Sequence, residues 1–257
     1  MARFRFAVEY FGEPYAGWQV QDNAVTVQGE LERALETVLR VPVRLTGAGR
    51  TDAGVHASGQ VAHFDSDAPF DPRKLEHSLN ALAGPHICVR GLEPCADAFH
   101  ARFDATSRRY RYRLALRPVA LMAPLSWRPP WPFDLAVFEA ELKSALGKRD
   151  FLSFSVPRDD GKSTVCDLRR ADLAREGALL EVWIEADRFL HKMVRSLLGA
   201  ALDAARGAPG SEKASLAGGG PGLIRSILDG SFDGPRFWAP PGGLCLERVA
   251  YPEYEAP

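Results

Sequence analysis

Residues 47–60 read Gly-Ala-Gly-Arg-Thr-Asp-Ala-Gly-Val-His-Ala-Ser-Gly-Gln, between a short β-branched run at 41–45 and another at 61–64. The stretch is therefore expected to be a loop joining two strands. Gly47, Gly49, Gly54 and Gly59 would give its backbone the freedom to approach a ligand. Asp52 sits in its middle, two residues after Arg50. Two phosphate-binding readings fail. A G-x-G-x-x-G fingerprint would need a glycine where Asp52 stands, and a carboxylate there repels pyrophosphate. The spacing from Gly49 to Gly54 suits a P-loop, but Val55-His56 follows in place of Lys and Ser/Thr. Composition alone would equally describe a long solvated hairpin loop.

Working outward, residues 3–10 alternate, with Phe4, Phe6, Val8 and Tyr10 on one face and Arg3, Arg5, Ala7 and Glu9 on the other. That is the pattern of a half-buried strand. Thr26 can cap a helix carrying Val27, Leu31, Ala34, Leu35 and Val38 at helical spacing. After the loop and its return strand, Asp71 caps a second helix with Pro72 at its first position and Leu75, Leu79 and Leu82 on one face. Residues 86–89 make a last short strand. The order β-α-β-β-α-β is the split βαβ arrangement, in which the glycine loop connects the second and third strands.

The segment from Arg102 to Arg117 holds six Arg, one Asp and no Lys. Within it Arg109, Arg111 and Arg113 alternate with Tyr110, Tyr112 and Leu114. The plain reading is an exposed strand whose long stems cover apolar neighbours. The sharper one is a phosphate-contacting face, because Arg interleaved with aromatics suits nucleic acid. Residues 118–132 are proline-rich and read as a connection. Asp134 caps a helix with Leu135, Phe138, Leu142 and Leu146. Residues 150–156 and 163–173 read as loop and strand, and 179–186 as a strand. Asp187 is expected to cap an apolar helix with Leu190, Val194, Leu197, Leu198, Ala201 and Leu202 inward. Arg188, His191, Lys192 and Arg195 would then form a basic side, with His191 and Arg195 a turn apart. Residues 207–222 are rich in Gly, Ala and Pro, and would be the most mobile segment. A short helix at 223–228 and a strand at 244–250 follow.

The second half thus roughly repeats the first in element order. The expected fold is α+β: two ferredoxin-like (split βαβ) halves with mainly antiparallel sheets, joined around a central basic cleft. The N-terminal half, 1–104, would carry the glycine loop. The C-terminal half, 105–257, would carry the tyrosine strand and the basic helix.

Whole-chain numbers narrow the function classes. The net charge of −1 over 257 residues gives no global basic signature, so a nucleic-acid partner would be met by local patches. No apolar run reaches membrane-spanning length and the start lacks a signal-peptide core, which suggests a cytoplasmic protein. The four cysteines form no C-x-x-C and the six histidines no H-x-x-x-H, so no metal is expected.

The run Gly49-Arg50-Thr51-Asp52-Ala53-Gly54-Val55-His56-Ala57 closely resembles the catalytic motif of the tRNA pseudouridine synthase A (TruA) family. Further blocks match it. They are Gly17-Trp18-Gln19, Thr26-Val27-Gln28, Phe99-His100-Ala101-Arg102-Phe103 with Arg108-Arg109-Tyr110, Phe189-Leu190-His191-Lys192-Met193-Val194-Arg195, and Gly243-Leu244-Cys245-Leu246. The resemblance runs from Val8 to Pro252. It implies that Asp52 is the catalytic carboxylate, Tyr110 the active-site tyrosine and Arg195 the arginine that pairs with the aspartate, with Leu244 or Leu246 lining the base pocket. Lys192 stands where the family leads one to expect His, and Cys245 where an aromatic is expected. The implied reaction turns uridine into pseudouridine without cofactor or metal. The implied substrate is the tRNA anticodon stem-loop, at uridines 38, 39 and 40, and the implied assembly is a homodimer.

The residues themselves leave Arg50 and Arg195 both open as the cation that keeps Asp52 ionised. Arg50, Arg102, Arg109, Arg111 and His191 are the expected substrate contacts. The competing reading is a non-catalytic RNA-binding protein of split βαβ fold. Asp52 argues against it, since a carboxylate among phosphates costs a pure binder affinity. A nucleoside hydrolase would call for a carboxylate pair or metal cluster that the sequence does not offer.

Overall fold

A computed structural model of the chain describes residues 1–156, 161, 163–206, 220–232 and 234–257. The stretch at 207–222 therefore lies outside the described residues except for its last three. In chain order the elements are β1 (Ala2–Tyr10), α1 (Val27–Leu39), β2 (Thr46–Gly47), β3 (His56–Ser66), α2 (Pro72–Ala83), β4 (Ile87–Cys95), β5 (Ser107–Ala115), α3 (Leu135–Ser144), β6 (Gly147–Asp150), β7 (Val165–Glu176), β8 (Leu179–Ala186), α4 (Met193–Ala204), α5 (Leu223–Leu228) and β9 (Leu244–Ala250). They make an α+β fold with a large mixed, mostly antiparallel sheet. The chain divides into two compact units, Met1–Arg109 with Cys245–Pro257, and Tyr110–Leu244. No helix among the described residues is long and apolar enough to cross a membrane.

In the first unit β1 lies antiparallel between β3 and β4, and β2 pairs antiparallel with β3 at Thr46↔His63. The order β4-β1-β3-β2 is the one a split βαβ motif produces. The last strand adds to it in parallel, at His56↔Cys245 and Ala57↔Leu246. Phe6, Val8, Val61 and Phe64 from the sheet, with Leu31, Leu35, Leu75 and Leu79 from the two helices, are at most 1% exposed. Each such side chain contributes about 1.5–3 kcal/mol by burial. Thr26 caps α1 by accepting from the Gly29 N–H, and Asp71 caps α2 by accepting from Arg73 and Lys74, with Pro72 leading the helix as expected.

Residues 41–45 do not form a strand; β2 is confined to Thr46 and Gly47. Side chains of α1 take the backbone groups that a ladder would use. Glu32 Oε1 accepts from the Leu45 N–H (2.9 Å), and Gln28 Nε2 donates to the Leu45 carbonyl (3.1 Å). The return strand, expected at 61–64, begins already at His56, which shortens the loop.

In the second unit the strands follow the order β5-β8-β7-β6, with β7 antiparallel to both β6 and β8. Tyr110, Tyr112 and Leu114 of β5 are buried, and Arg111 and Arg113 are half-buried on the alternate face. Asp134 caps α3 as expected, accepting from Ala136 and Val137. Asp187 caps nothing. Its Oδ1 accepts from the Asp167 and Arg188 N–H groups (both 2.8 Å), which ties it to β7. The helix starts six residues later, at Met193, after Lys192 in the left-handed region (φ 63°). His191 thus precedes the helix that carries Arg195, and the two are not a helical turn apart.

Candidate active site

The first unit presents Asp52. The loop at 48–55 leaves the sheet after β2 and re-enters it at His56, and its backbone is tied at nearly every step. The Ala48 N–H donates to the Val61 carbonyl (2.8 Å), extending the ladder by one bond. The Ala48 carbonyl accepts from Arg108 Nη2 (3.1 Å) and the Gly49 carbonyl from Gln60 Nε2 (2.9 Å). The Thr51 carbonyl accepts from the Trp18 N–H (3.2 Å), and its hydroxyl meets the Tyr10 hydroxyl (2.8 Å). The Val55 N–H closes a turn on the Asp52 carbonyl (3.1 Å), and the Gly54 N–H reaches the Tyr15 carbonyl (3.3 Å).

Of the four glycines expected to loosen this segment, Gly54 alone adopts a left-handed conformation (φ 75°), at the turn after Asp52. Gly17 serves differently: a Cβ there would stand 2.6 Å from the Thr51 carbonyl, so only glycine lets that strand-side segment brace the loop. The result is a stiff frame with a half-buried carboxylate at its turn and the exposed Arg50 two residues before it. His56, also in the motif, is 3% exposed, and its Nδ1 accepts from the Gly12 N–H (3.0 Å). That bond ties the end of the loop to the segment after β1.

The second unit presents Tyr110 and Arg195. Tyr110 is 8% exposed, and its ring meets Phe189 edge-on at 5.2 Å. Arg195, half-buried near the start of α4, is gripped by the segment before β9. Its Nε donates to the Ala239 carbonyl (2.8 Å), while the Ala239 N–H donates to the Arg195 carbonyl (3.0 Å). Tyr112 steadies the same segment by donating to the Pro240 carbonyl (2.9 Å). Burial pushes the Tyr112 phenol far up, against a smaller opposing pull from the Arg195 cation, so it remains a donor. The ammonium of Lys192 stands 4.0 Å from the centre of the Trp238 ring. Its backbone conformation costs about 1–3 kcal/mol.

The remaining expected contacts are distributed unevenly. Arg102 is exposed, 5.8 Å from the ring of the exposed Phe103. Arg109 is half-buried on β5. Arg111 Nη1 and Arg113 Nε both end on Glu181 Oε1, at 3.1 and 3.0 Å. His191 is half-buried, and its carbonyl accepts from the Val156 N–H (3.2 Å). Leu244 and Leu246 share one face of β9 and are 4% and 0% exposed. Among the described residues no group of three or more His, Cys, Asp or Glu is placed as metal ligands would be. Sequence reasoning assigned nothing to Gln60 and Arg108, whose side chains hold the loop. A signal for Arg108 was present, because the period-two pattern of β5 puts it in phase with Tyr110, Tyr112 and Leu114.

Known proteins were compared with the chain. A family model described as tRNA pseudouridine synthase matches residues 6–104 and 142–252. That match takes in Arg50, Asp52, Arg102, His191, Arg195, Leu244 and Leu246, while Arg109, Tyr110 and Arg111 fall in the interval between its two segments. The tRNA pseudouridine synthase A of Rhizobium leguminosarum bv. trifolii is 39% identical over 260 residues, covering 98% of this chain and 93% of the relative. That of Allorhizobium ampelinum is 40% identical, covering 98% and 96%. That of Chlorobium phaeovibrioides is 40% identical, covering 87% and 93%.

Proposed function

The chain belongs to the tRNA pseudouridine synthase A family and is an intramolecular isomerase acting on tRNA, and from that premise we propose that Asp52 drives the isomerisation of uridines 38, 39 and 40 in the anticodon stem-loop. The reaction breaks the N1–C1′ bond, turns the uracil and forms the C5–C1′ bond. The C5 proton leaves to solvent and N1 gains one, so atoms and electrons balance with no external reactant. A carboxylate can begin this by attacking C1′, by adding to C6, or by taking the 2′ proton. All three need the same thing of the protein, a carboxylate held still at the base or sugar. The hydrogen bonds that tie the loop backbone on both sides of Asp52 are the observation that supports the assignment.

The other roles follow the resemblance. Tyr110 stacks on the uracil, and Arg195 or Arg50 keeps Asp52 charged and aimed. Leu244 or Leu246 lines the base pocket. Arg50, Arg102, Arg109, Arg111 and His191 contact the RNA, with Arg111 contributing least because Glu181 already shares its charge. The target base must leave its stack, which costs a few kcal/mol, offset by stacking and phosphate contacts. The enzyme works as a homodimer in the cytoplasm.

Release of tritium from tRNA containing 5-tritiated uridine tests the assignment. Asp52→Ala should release none while still binding tRNA, and release at the wild-type rate would overturn it. Transcripts keeping a single uridine among positions 38, 39 and 40 assign the targets. Sedimentation of the free enzyme reports the dimer.

A further inference from the structure

We propose that Gln60 and Arg108 are positioning residues for the reaction, which together fix the direction in which the loop presents Arg50 and Asp52. The proposal rests on the reading of Asp52 as the catalytic carboxylate. The two side chains hold consecutive carbonyls, Arg108 that of Ala48 (3.1 Å) and Gln60 that of Gly49 (2.9 Å). These belong to the two peptide planes that flank the Gly49 Cα. A Cβ at Gly49 would meet nothing within 4 Å, so sterics leave that pivot open. With both planes clamped, its two dihedrals are set. Thr51 is pinned separately through Trp18 and Tyr10. The loop is thus held on both sides of Arg50 and immediately before Asp52.

The anchors are themselves buried and hydrogen-bonded. Gln60 is 0% exposed, and its Oε1 accepts from the Val61 N–H (3.3 Å), which orients the amide. Arg108 is 9% exposed and also donates to the carbonyls of Arg102 (2.6 Å) and Ala105 (3.0 Å). Those carbonyls lie in a turn that is fixed in its own right. The Tyr251 hydroxyl donates to the Ala101 carbonyl (2.6 Å), and the Ala101 N–H donates to His63 Nδ1 (3.1 Å). Burying an amide and a guanidinium is costly unless their bonds are made. Two apolar side chains would fill the space more cheaply but could not orient a peptide plane. Misplacing a reacting group by about 1 Å costs on the order of 100-fold in rate.

The test uses the full-length enzyme with Gln60→Asn, Gln60→Leu, Arg108→Lys, the Gln60→Leu/Arg108→Lys pair, and Asp52→Asn as reference. Single-turnover pseudouridine formation, tRNA affinity by filter binding and thermal melting are read for each. The expected result is a loss of about 10- to 100-fold in rate for Gln60→Leu and Arg108→Lys, with Kd for tRNA within about twofold of wild type. Gln60→Asn, which keeps the amide on a shorter stem, should lose less than Gln60→Leu. The pair should be no more than about threefold worse than the poorer single variant, because both act on one pivot. Rates within fivefold of wild type in a folded Gln60→Leu enzyme overturn the proposal, as does a rate loss matched by an equal loss of affinity. If Arg108→Lys does not fold, the two Gln60 variants decide. An active Asp52→Asn enzyme sinks the carboxylate reading itself, whereas an inactive one beside a fully active Gln60→Leu enzyme sinks only the positioning role.

Discussion

In the loop at 48–55 the main chain is held at several points: Arg108, Gln60 and the Trp18 N–H each take a carbonyl, and the half-buried Asp52 is carried on the frame they make. On the Arg111 and Arg113 face of β5 the partner is a side chain: the two guanidinium groups both end on Glu181. Both stretches stand out in the sequence for their charged residues. They differ in what the fold has already spent. In the loop it is the backbone that is held; on β5 two of the charges that made the stretch conspicuous are held by one carboxylate.

The largest expected effect tests the first half of that contrast. Asp52→Asn keeps the shape of the residue and removes its charge, and should lower single-turnover pseudouridine formation by at least about 1000-fold, or about 4 kcal/mol of barrier. Its tRNA affinity should be unchanged or slightly raised. A smaller effect comes from the segment that grips Arg195. Tyr112→Phe leaves the Pro240 carbonyl without its donor and should cost about 1–3 kcal/mol of stability in urea unfolding. Unchanged stability would mean that the grip does not depend on that bond.

The second half of the contrast is tested by salt titration of tRNA binding. Glu181→Gln removes the negative charge that Arg111 and Arg113 share, and should strengthen binding and steepen its salt dependence by about one unit of slope. Arg102→Ala should flatten that slope more than Arg111→Ala does, because only the latter removes a charge that is already shared. Equal effects would collapse the distinction between spent and available arginines.

The smallest effect is a drift of stability with pH. Burial, helped by the Arg3 and His100 cations, pushes His63 down to about 4, so the folded protein keeps it neutral. The unfolded chain takes up that proton near pH 6.5 and the folded one does not, so His63 lowers stability as pH falls from about 6.5 towards 4. Unfolding midpoints across that range should drop, and His63→Gln, whose amide oxygen can still accept from the Ala101 N–H, should flatten the drop.

Much of the architecture could be read from patterns of period two and period 3.6, because those patterns arise from burial. The β5 alternation and the caps at Thr26, Asp71 and Asp134 stand where the sequence puts them. Three of the misses share a physical source, side chain to backbone bonds that reach across the chain. Residues 41–45 have the composition of a strand, but Glu32 and Gln28 take the groups of Leu45 that a neighbour would need. Asp187 has the chemistry of a helix cap, but its carboxylate is engaged by the Asp167 N–H twenty positions back. Arg108 was given no role of its own, though its phase along β5 placed it with the buried tyrosines. Asp52, Tyr110 and Arg195 were marked by resemblance to a family; composition could not have separated them from solvated neighbours.

The pairing of β9 with β3 sets an order of assembly. The parallel strand partner of His56 and Ala57 is supplied by residues 245 and 246, after the whole of the second unit has been made. At about 5–20 residues per second, a ribosome needs roughly 7–27 seconds to add the intervening 110–244 segment. The nascent enzyme therefore emerges with its aspartate loop already translated but missing the strand beside it. A chain stalled before Cys245 would carry an unfinished sheet edge for chaperones to shield.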